Sequence, residues 1–417
     1  MPGANVATWG VVAVATFGVI VRPWNFPEFV WAVAGAVLLV ALNLLPWPDA
    51  LAAAAKGNDV YFFLVGMMLL AEVARAEGLF DWLATQAVTH ARGSAKRLFL
   101  IVYLVGTLVT VLLSNDATAV VLTPAVYAAT RAAKVEPLLY LFICAFIANA
   151  ASFVLPISNP ANLVVFGDHM PPLAEWLRWF TLPSLAAIVA TYVALRLTQR
   201  HALNATVAPA EAGRALGSGG LIAAVGIVVT AIVLLLASAL DRDLGLPTFV
   251  AGSTVAVVVL VLRRESPWPI LKGVSWSVLP LVAGLFVLVE GLNRTGAVPA
   301  LADLLKAANA AAPQATSWLS GGVIAITCNL INNLPMGLIA ATTIQTAHLP
   351  PHLTSAILIG VDIGPNLSVT GSLATILWLI ALRRQGENVA TLTFLKLGLV
   401  IMPPALLLAL ASLWIGT

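Results

Sequence analysis

Charged side chains are scarce in this sequence. They make up 9% of its 417 residues, whereas hydrophobic residues make up 60%. A soluble domain carries about 25% charged residues. Because no fold in water buries so large an apolar share, the solvent around this chain must be a lipid bilayer. The composition excludes a soluble domain and predicts an all-α polytopic membrane protein.

Cysteine is also rare, since Cys144 and Cys328 are the only two and lie far apart. Two such cysteines disfavour a disulfide framework and a thiolate metal site. His348 and His352 have helical i, i+4 spacing, but two prolines between them disfavour a shared helical face. We therefore expect no resident metal ion.

Several signatures of function are missing as well. The sequence contains no Gly-rich nucleotide loop and no nucleophile constellation, so we expect neither an enzyme nor ATP hydrolysis in this chain. We likewise expect no cofactor and no nucleic-acid partner. The N-terminus lacks the basic flank and the cleavage site of a signal peptide, so the first apolar segment should be retained.

What the sequence does contain is a series of apolar segments long enough to cross a bilayer. They lie near 6–21, 28–46, 58–76, 136–168, 176–197, 219–239, 246–262, 275–293, 352–382 and 391–414. Two further stretches, 97–132 and 314–347, are apolar at both ends and polar in the middle. Each fits two short crossings or one re-entrant hairpin, and the polar centre favours the hairpin.

Capping residues support the hairpin interpretation, because the tip of a hairpin needs capped helix ends. We expect Asn115 to cap a helix that begins near Asp116, and Asn332 or Asn333 to cap the corresponding second helix. The sequence thus predicts about ten transmembrane helices plus two re-entrant hairpins.

Helix-breaking polar motifs occur in two matching pairs inside hydrophobic segments. Ser114-Asn115-Asp116 matches Asn332-Asn333-Leu334-Pro335, and the motif at 156–162 matches the one at 362–365, which is followed by Thr370-Gly371-Ser372. The second pair predicts two discontinuous helices, at 136–168 and 352–382. Lipid tolerates broken backbone only where it is buried in protein or lines a wet cavity. Interrupted helices at matching places in two halves indicate the midplane site of a secondary transporter.

An internal repeat accompanies these motifs. A shift of 218 residues carries Gly66, Glu72 and Asn115 onto Gly284, Glu290 and Asn333. We expect a first repeat at 1–198, a cytoplasmic linker at 199–218 and a second repeat at 219–417. If the hairpins do not cross, each half makes five passes, and this odd number predicts an inverted repeat.

The distribution of basic residues sets the expected orientation. The predicted crossings place five of the 21 basic residues on one side, and these are Lys56, Arg178, Arg242, Arg294 and Lys306. The remaining basic residues, Arg214 among them, lie on the other side, which the positive-inside rule makes cytoplasmic. Both termini should therefore be extracytoplasmic.

Asp116 and Asp362 are the only carboxylates that we place at membrane mid-depth. A charge there costs about 2.5–3.5 kcal/mol on insertion scales, so each aspartate is a functional candidate. The structural alternative is an acid that merely holds a broken helix. Since burial favours the protonated form of a carboxylic acid, either residue could load a proton on one side and release it on the other. The pattern predicts proton coupling.

Neutral polar groups surround the two acids, and we expect them to bind the substrate. They are Asn115, Ser158, Asn159, Asn162, Asn332, Asn333, Thr370, Gly371 and Ser372. Because no basic residue is expected at this depth, the site suits a small neutral hydroxylated solute better than a dicarboxylate. Helix N-termini at the hairpin tips leave a small anion open. The alternative is that these side chains only cap exposed backbone.

Glu72 and Glu290 also repeat, but each lies near a helix end. Arg75 and Arg294 follow them by three and four residues, which is the spacing of an ordinary interfacial ion pair. We therefore do not place these glutamates in the site.

At the same motifs the chain resembles the bacterial arsenite/antimonite efflux permeases of the ion transporter superfamily. The likeness rests on Asn115-Asp116, Ser158-Asn159, Asn332-Asn333-Leu334-Pro335 and Asp362-Ile363-Gly364-Pro365. Ser114-Asn115-Asp116 is also similar to the Ser-Asn-Thr hairpin signature of sodium-coupled dicarboxylate carriers, although aspartate in the third place departs from it.

The resemblance implies a broken-helix fold, often dimeric, in the bacterial inner membrane, which exchanges protons for trivalent arsenic or antimony hydroxides. Some family members also work with a soluble arsenite-stimulated ATPase. Two departures bear on the site. Asn149 stands where some members carry aspartate, and Asn366 stands where some carry lysine.

Physical reasoning and resemblance agree on a leading hypothesis, a proton-coupled exporter of arsenite and antimonite. Arsenous acid is neutral near pH 7, and amide and hydroxyl side chains can satisfy its hydroxyl groups. An alternative within transport is a sodium- or proton-coupled carrier of a small organic or inorganic anion. From another class, a non-transporting membrane scaffold remains open, and paired broken helices argue against it.

Overall fold

The structure is a computed structural model that describes residues 2–167, 170–204, 206–208 and 215–415. Within those ranges the regular structure is helical, apart from one isolated bridge between Ser94 and Thr206. The helices of the first half are α1 (Pro2–Val21), α2 (Glu28–Ala41), α3 (Trp47–Ala55), α4 (Asn58–Ala76), α5 (Leu79–Ala91), α6 (Ala95–Leu112), α7 (Asn115–Ala117), α8 (Thr123–Ala132), α9 (Pro137–Ala150), α10 (Pro160–Phe166) and α11 (Leu173–Thr198).

The second half contains ten further helices among its described residues. They are α12 (Ser218–Ala239), α13 (Gly245–Arg263), α14 (Trp268–Gly273), α15 (Val278–Arg294), α16 (Ala297–Ala311), α17 (Pro313–Ile331), α18 (Asn333–Ala347), α19 (Pro351–Ile363), α20 (Leu373–Arg384) and α21 (Thr391–Ser412).

Long apolar helices confirm the predicted all-α polytopic membrane protein. In the described part of the chain, six helices are long and apolar enough to cross a bilayer: α1, α6, α11, α12, α13 and α21. The number rises to seven if α15 and α16, which are bent by 74° at a short break, count as one span. Large apolar side chains such as Leu104, Val189 and Val261 are exposed on their outer faces, as lipid contact requires.

The remaining expected crossings consist of shorter helical pieces. The segment predicted at 136–168 is divided into α9, with 14 residues, and α10, with seven. About 20 residues are needed to span the hydrocarbon core, so neither piece meets that length alone. The total of about ten crossings stays a prediction.

One group of helices is built on crossings between the two halves. α4 packs against α13, and α15 packs against α2. A Cβ placed on Gly252 of α13 would lie 2.2 Å from the carbonyl oxygen of Gly66 on α4, so only glycine permits this approach. Likewise, a Cβ on Gly284 of α15 would lie 2.8 Å from the backbone of Ala32 on α2. Small residues let membrane helices pack backbone to backbone.

A second group contains the interrupted helices. α6 packs on α9, α17 on α19, and α11 on α21. The α17–α19 crossing is again close, because a Cβ on Gly360 would lie 2.5 Å from the carbonyl oxygen of Gly321. Buried aromatic rings fill the space between the halves, with Phe146 stacked on Phe394 at a centroid distance of 4.9 Å.

All four predicted motifs interrupt helices in the structure. α6 ends at Leu112 and α7 begins at Asn115, while α17 ends one residue before Asn332, whose φ is +74°. The segment 151–159 separates α9 from α10, and the segment 364–372 separates α19 from α20. Four helices therefore begin inside the molecule, after a break.

The predicted linker 199–218 is described only in part. Its residues 205 and 209–214, including Arg214, lie outside the described residues. The described portion docks on neighbouring loops, since the backbone N–H groups of Val207 and Ala208 donate to the carbonyls of Gly93 and Ala133.

Candidate functional site

The helices that begin after a break converge on one small central cavity. Its polar lining consists of Asn115 and Asp116 from α7, Asn159 before α10, and Asn333 from α18. Val60 and Leu64 of α4 and Val278 and Val282 of α15 supply the opposing apolar wall, and Leu373 and Ala374 of α20 close it. The free space is about 10 Å³, roughly what one water molecule needs. Four of the predicted site residues are thus brought together.

The first tip is capped by Ser114 rather than by Asn115. The Ser114 hydroxyl oxygen accepts a hydrogen bond from the backbone N–H of Ala117 at 3.2 Å. The prediction that Asn115 caps this helix was therefore wrong by one residue. Asn115 is 2% exposed, and its Oδ1 accepts from the N–H of Asp116 at 2.9 Å. The turn is held by two neutral side chains, and Asp116 faces the cavity.

The second tip is capped by Asn332, one of the two residues expected there. Its Oδ1 accepts from the N–H of Leu334 at 3.2 Å, and its Nδ2 donates to the carbonyl of Thr370 at 3.1 Å. The N–H of Asn333 donates to the carbonyl of Gly371 at 2.9 Å. The tip is thereby tied to the break between α19 and α20.

Gly371 occupies a place that no larger residue fits. A Cβ there would lie 2.5 Å from Cα of Pro365 and 2.6 Å from Oδ1 of Asn329. Contacts so short would displace the backbone of the break. Gly371 therefore lets the two segments approach, and it contributes no side chain to a substrate.

Asp362 is completely buried, behind the cavity rather than in its wall. Oδ1 of Asp362 accepts a hydrogen bond from Nδ2 of Asn159 at 2.5 Å. Oδ1 of Asn159 accepts from the N–H of Ala161 at 3.0 Å and so caps α10. Oδ2 of Asp362 has no hydrogen-bond partner among the described residues. Asn159 is the physical link between this carboxyl group and the cavity.

Asp116 and Asp362 therefore occupy different environments. Asp116 is half-buried, and it also lines a neighbouring cavity of about 60 Å³. Asp362 lies behind the cavity and contacts its lining through the hydrogen bond from Asn159. An ionised carboxylate without a countercharge is costly at complete burial, and among the described residues no ion pair gives Asp362 one.

Three of the predicted binding residues form hydrogen bonds with the backbone of the broken helices. Nδ2 of Asn162 donates to three carbonyls within 152–156, at 2.9 to 3.3 Å. The hydroxyl of Ser158 donates to the carbonyl of Val111 at 3.1 Å, and the Ser372 hydroxyl caps α20. Their contacts match the alternative that such side chains hold the broken helices.

Sequence reasoning missed Asn329, which lies one helical turn before Asn332. Its Nδ2 donates to the carbonyl of Gly364 at 2.9 Å, and its Oδ1 accepts from the hydroxyl of Ser368 at 2.8 Å. The Thr370 hydroxyl donates to the backbone carbonyl of Asn329 at 3.1 Å. A polar amide within the apolar run of α17 was the available signal.

The two departures from the resembling family lie in contact. Nδ2 of Asn149 donates to Oδ1 of Asn366 at 3.0 Å and to the hydroxyl of Thr375 at 3.3 Å. Nδ2 of Asn366 donates to the carbonyl of Phe146 at 3.0 Å. Both amides are completely buried. A neutral amide pair therefore joins the two discontinuous helices.

Glu72 and Glu290 form the expected ion pairs and also line cavities on either side of the centre. Glu72 pairs with Arg75, and Glu72 shares the cavity of about 60 Å³ with Asp116. Glu290 pairs with Arg294 and with Lys56, the latter at 3.1 Å, beside a cavity of about 190 Å³. The spacing predicted the pairs but not their place beside the cavities.

Comparison with known proteins places the chain in a group of membrane carriers. The family described as "Citrate transporter" (CitMHS) matches residues 16–361. An arsenical pump membrane protein of Escherichia coli is 26% identical over 396 residues, which is 92% of each chain. The arsenical pump membrane protein of Yersinia enterocolitica is 27% identical over 368 residues, 84% of each chain. An uncharacterized transporter of Mycobacterium tuberculosis is 28% identical over 411 residues, 92% of each chain.

A solved structure shares the fold. The crystal structure of the YdaH transporter of Alcanivorax borkumensis, described as having an unusual topology, superposes with a TM-score of 0.58 at 18% sequence identity. The match covers 93% of this chain and 97% of that one.

Proposed function

We propose that this multi-pass membrane transporter, which belongs to the citrate transporter family CitMHS, exports arsenite and antimonite in exchange for protons. The arsenical pump relatives support the substrate, and the broken helices support a secondary transporter. The proposed location is the bacterial inner membrane.

The observation that carries this proposal is the lining of the central cavity. Among the described residues around it, the polar ones are three asparagines and Asp116, and none is a lysine or arginine. A citrate trianion would need cationic partners, because an unpaired charge is expensive away from water. Neutral arsenous acid has three hydroxyl groups, which can donate to amide oxygens and to the Asp116 carboxylate. The polar groups of the lining therefore suit a neutral trihydroxide, and because the present free space of about 10 Å³ holds one water molecule, the cavity must widen for the solute to enter.

The coupling residues are proposed to be Asp116 and Asp362. Asp116 meets the substrate, while Asp362 binds and releases a proton behind Asn159. A neutral substrate feels no membrane potential, whereas an imported proton gains about 2.3 kcal/mol per 100 mV. Exchange of the two would drive export against a gradient. Protonation of Asp362 would alter what Asn159 can donate into the cavity.

The reciprocal crossings support the proposal of two inverted repeats, at 1–198 and 219–417. α4 meets α13 as α15 meets α2, which is the relation that a shift of 218 residues implies. With this arrangement both termini would be extracytoplasmic. Only the family resemblance supports a homodimer and an arsenite-stimulated ATPase partner.

Everted membrane vesicles test the proposal. We expect vesicles that contain the protein to take up arsenite when they are acidified inside, and vesicles without it to take up far less. The matched variants are Asp116→Asn in the cavity and Arg384→Gln on the surface. Arsenite uptake that ignores the proton gradient would contradict the exchange.

A carrier of a small anion is the second candidate. Helices α7, α10, α18 and α20 all begin near the central cavity, and their N-terminal N–H groups favour negative charge. The same vesicles would then show sodium-dependent uptake of citrate or another small anion, with no response to arsenite.

A further inference from the structure

A basic pocket lies at one end of the helix pair α6–α11, away from the transport site. It is lined by Lys96, Arg196, Arg200, His201, Leu203 and Asn204 and has a volume of about 460 Å³. Sites for small molecules in proteins have volumes of about 300–1,000 Å³. In the described part of the chain, none of its three cations forms an ion pair with a carboxylate. The pocket therefore offers unpaired positive charge to an anion.

The two helices that frame the pocket are in direct contact. The hydroxyl of Tyr103 on α6 donates to the carbonyl of Ile188 on α11 at 2.6 Å. The ring of Tyr192 on α11 contacts Tyr103 edge-on at 5.1 Å and Phe99 at 6.1 Å. Both helices are long and apolar enough to cross a bilayer. The pocket thus lies at the end of two long apolar helices that touch through these side chains.

Helical phase places two of the three cations, Lys96 and Arg196, on one side of this pair. Successive helical residues are about 100° apart, and the two helices run in opposite directions. Taking the contacts of Phe99 and Tyr192 as the meeting line, Lys96 and Arg196 project to the same side, and Arg200, two residues beyond the end of α11, lines the same pocket. Lys96 also lies in the first turn of α6, where the helix dipole favours an anion.

The same side continues down the pair as an apolar surface. Leu100 and Leu104 of α6 are 38% and 57% exposed, and Val189 and Val193 of α11 are 58% and 46% exposed. By the same phase argument Leu100, Val189 and Val193 lie on the side of the cations, whereas Leu104 points further round α6, away from α11. A basic head region followed by an apolar groove has the shape and polarity of a phospholipid.

We infer that this surface binds one anionic phospholipid, with its phosphate among Lys96, Arg196 and Arg200 and its acyl chains along the α6–α11 groove. Basic pockets at the ends of membrane helices recognise such headgroups. The guanidinium of Arg196 lies above the Tyr192 ring, and its Nη1 donates a 2.7 Å hydrogen bond to the Tyr192 hydroxyl. This orientation fixes one guanidinium at the pocket before the lipid arrives. The inference is independent of which solute the protein carries.

The test uses the full-length protein, purified in detergent and titrated with phosphatidylglycerol or with zwitterionic phosphatidylethanolamine, with bound lipid counted by native mass spectrometry. We expect the wild type to prefer phosphatidylglycerol. Arg196→Gln/Arg200→Gln should weaken that binding about 25-fold, since each basic residue near an anionic surface contributes a factor of about five. The matched control Arg383→Gln/Arg384→Gln removes two exposed arginines elsewhere and should bind like the wild type.

Two further arms separate a lipid from other anions. Val193→Trp, which fills the groove and keeps every charge, should reduce phosphatidylglycerol binding, and inorganic phosphate should not displace the lipid. Displacement by phosphate together with full binding by Val193→Trp would assign the pocket to a free anion and overturn the inference. Equal lipid binding by wild type and Arg196→Gln/Arg200→Gln, with unchanged melting temperatures, would also overturn it.

Discussion

Asp362→Asn should separate the proton coupling of this transporter from its fold. The amide has the shape of the carboxyl group, so its oxygen can still accept the hydrogen bond from Nδ2 of Asn159. The atom that changes character is Oδ2, which has no hydrogen-bond partner among the described residues. Because one buried polar atom replaces another, the free energy of unfolding should change by about 1 kcal/mol or less.

The expected loss is in accumulation. An amide neither takes up nor releases a proton near neutral pH, so the variant would resemble the permanently protonated acid. In the wild type, one proton imported across a potential of 100 mV contributes about 2.3 kcal/mol, which corresponds to an arsenite concentration ratio of roughly 50 across the membrane. In Asp362→Asn that ratio should fall to about one, although exchange of labelled for unlabelled arsenite continues.

Reconstituted vesicles with an imposed pH gradient and potential measure both quantities. Asp362→Leu is the contrasting variant, because it leaves the Asn159 amide without its acceptor and should cost about 1–3 kcal/mol of stability. Wild-type accumulation by a folded Asp362→Asn would show that Asp362 carries no coupling proton. Loss of both exchange and accumulation would instead indicate a role in binding the substrate.

The remaining predictions concern the cavity and its supports. Asp116→Asn should lower arsenite uptake about tenfold or more, whereas Glu72→Gln should change it much less; equal effects in the vesicle assay would refute the assigned depth of Asp116. Gly371→Ala should destabilise the protein by about 1–3 kcal/mol through overpacking, and an unchanged melting temperature in detergent would contradict the close approach seen there. Asn149→Leu and Asn366→Leu should each lower the free energy of unfolding by about 1–3 kcal/mol, because each leaves the other buried amide without a hydrogen-bond partner. The double variant should therefore lose less than the sum of the two. Strictly additive shifts in melting temperature would count against the contact.

The breaks could be predicted because lipid restricts where polar backbone can lie. Asn115-Asp116 and Asn332-Asn333 lie inside runs that are otherwise apolar enough to span, and a bilayer tolerates broken backbone only where it is buried in protein or lines a cavity. The structure interrupts a helix at each motif. Composition alone was sufficient to predict a membrane protein.

Details of a few ångströms lay beyond the sequence. Ser114 and Asn115 are both good N-caps, and only the backbone geometry of the turn selects the serine. Nothing in the spacing shows that Asp362 lies behind Asn159 while Asp116 reaches the cavity. That difference depends on how distant helices pack, which a single sequence does not encode locally.

The hydrogen bond between Asn149 and Asn366 constrains which side chains these two positions can accept. A lone aspartate or lysine in so buried a place would lack its countercharge, at about 3–5 kcal/mol. We therefore expect the two positions to covary, with orthologues bearing either both amides or both charges.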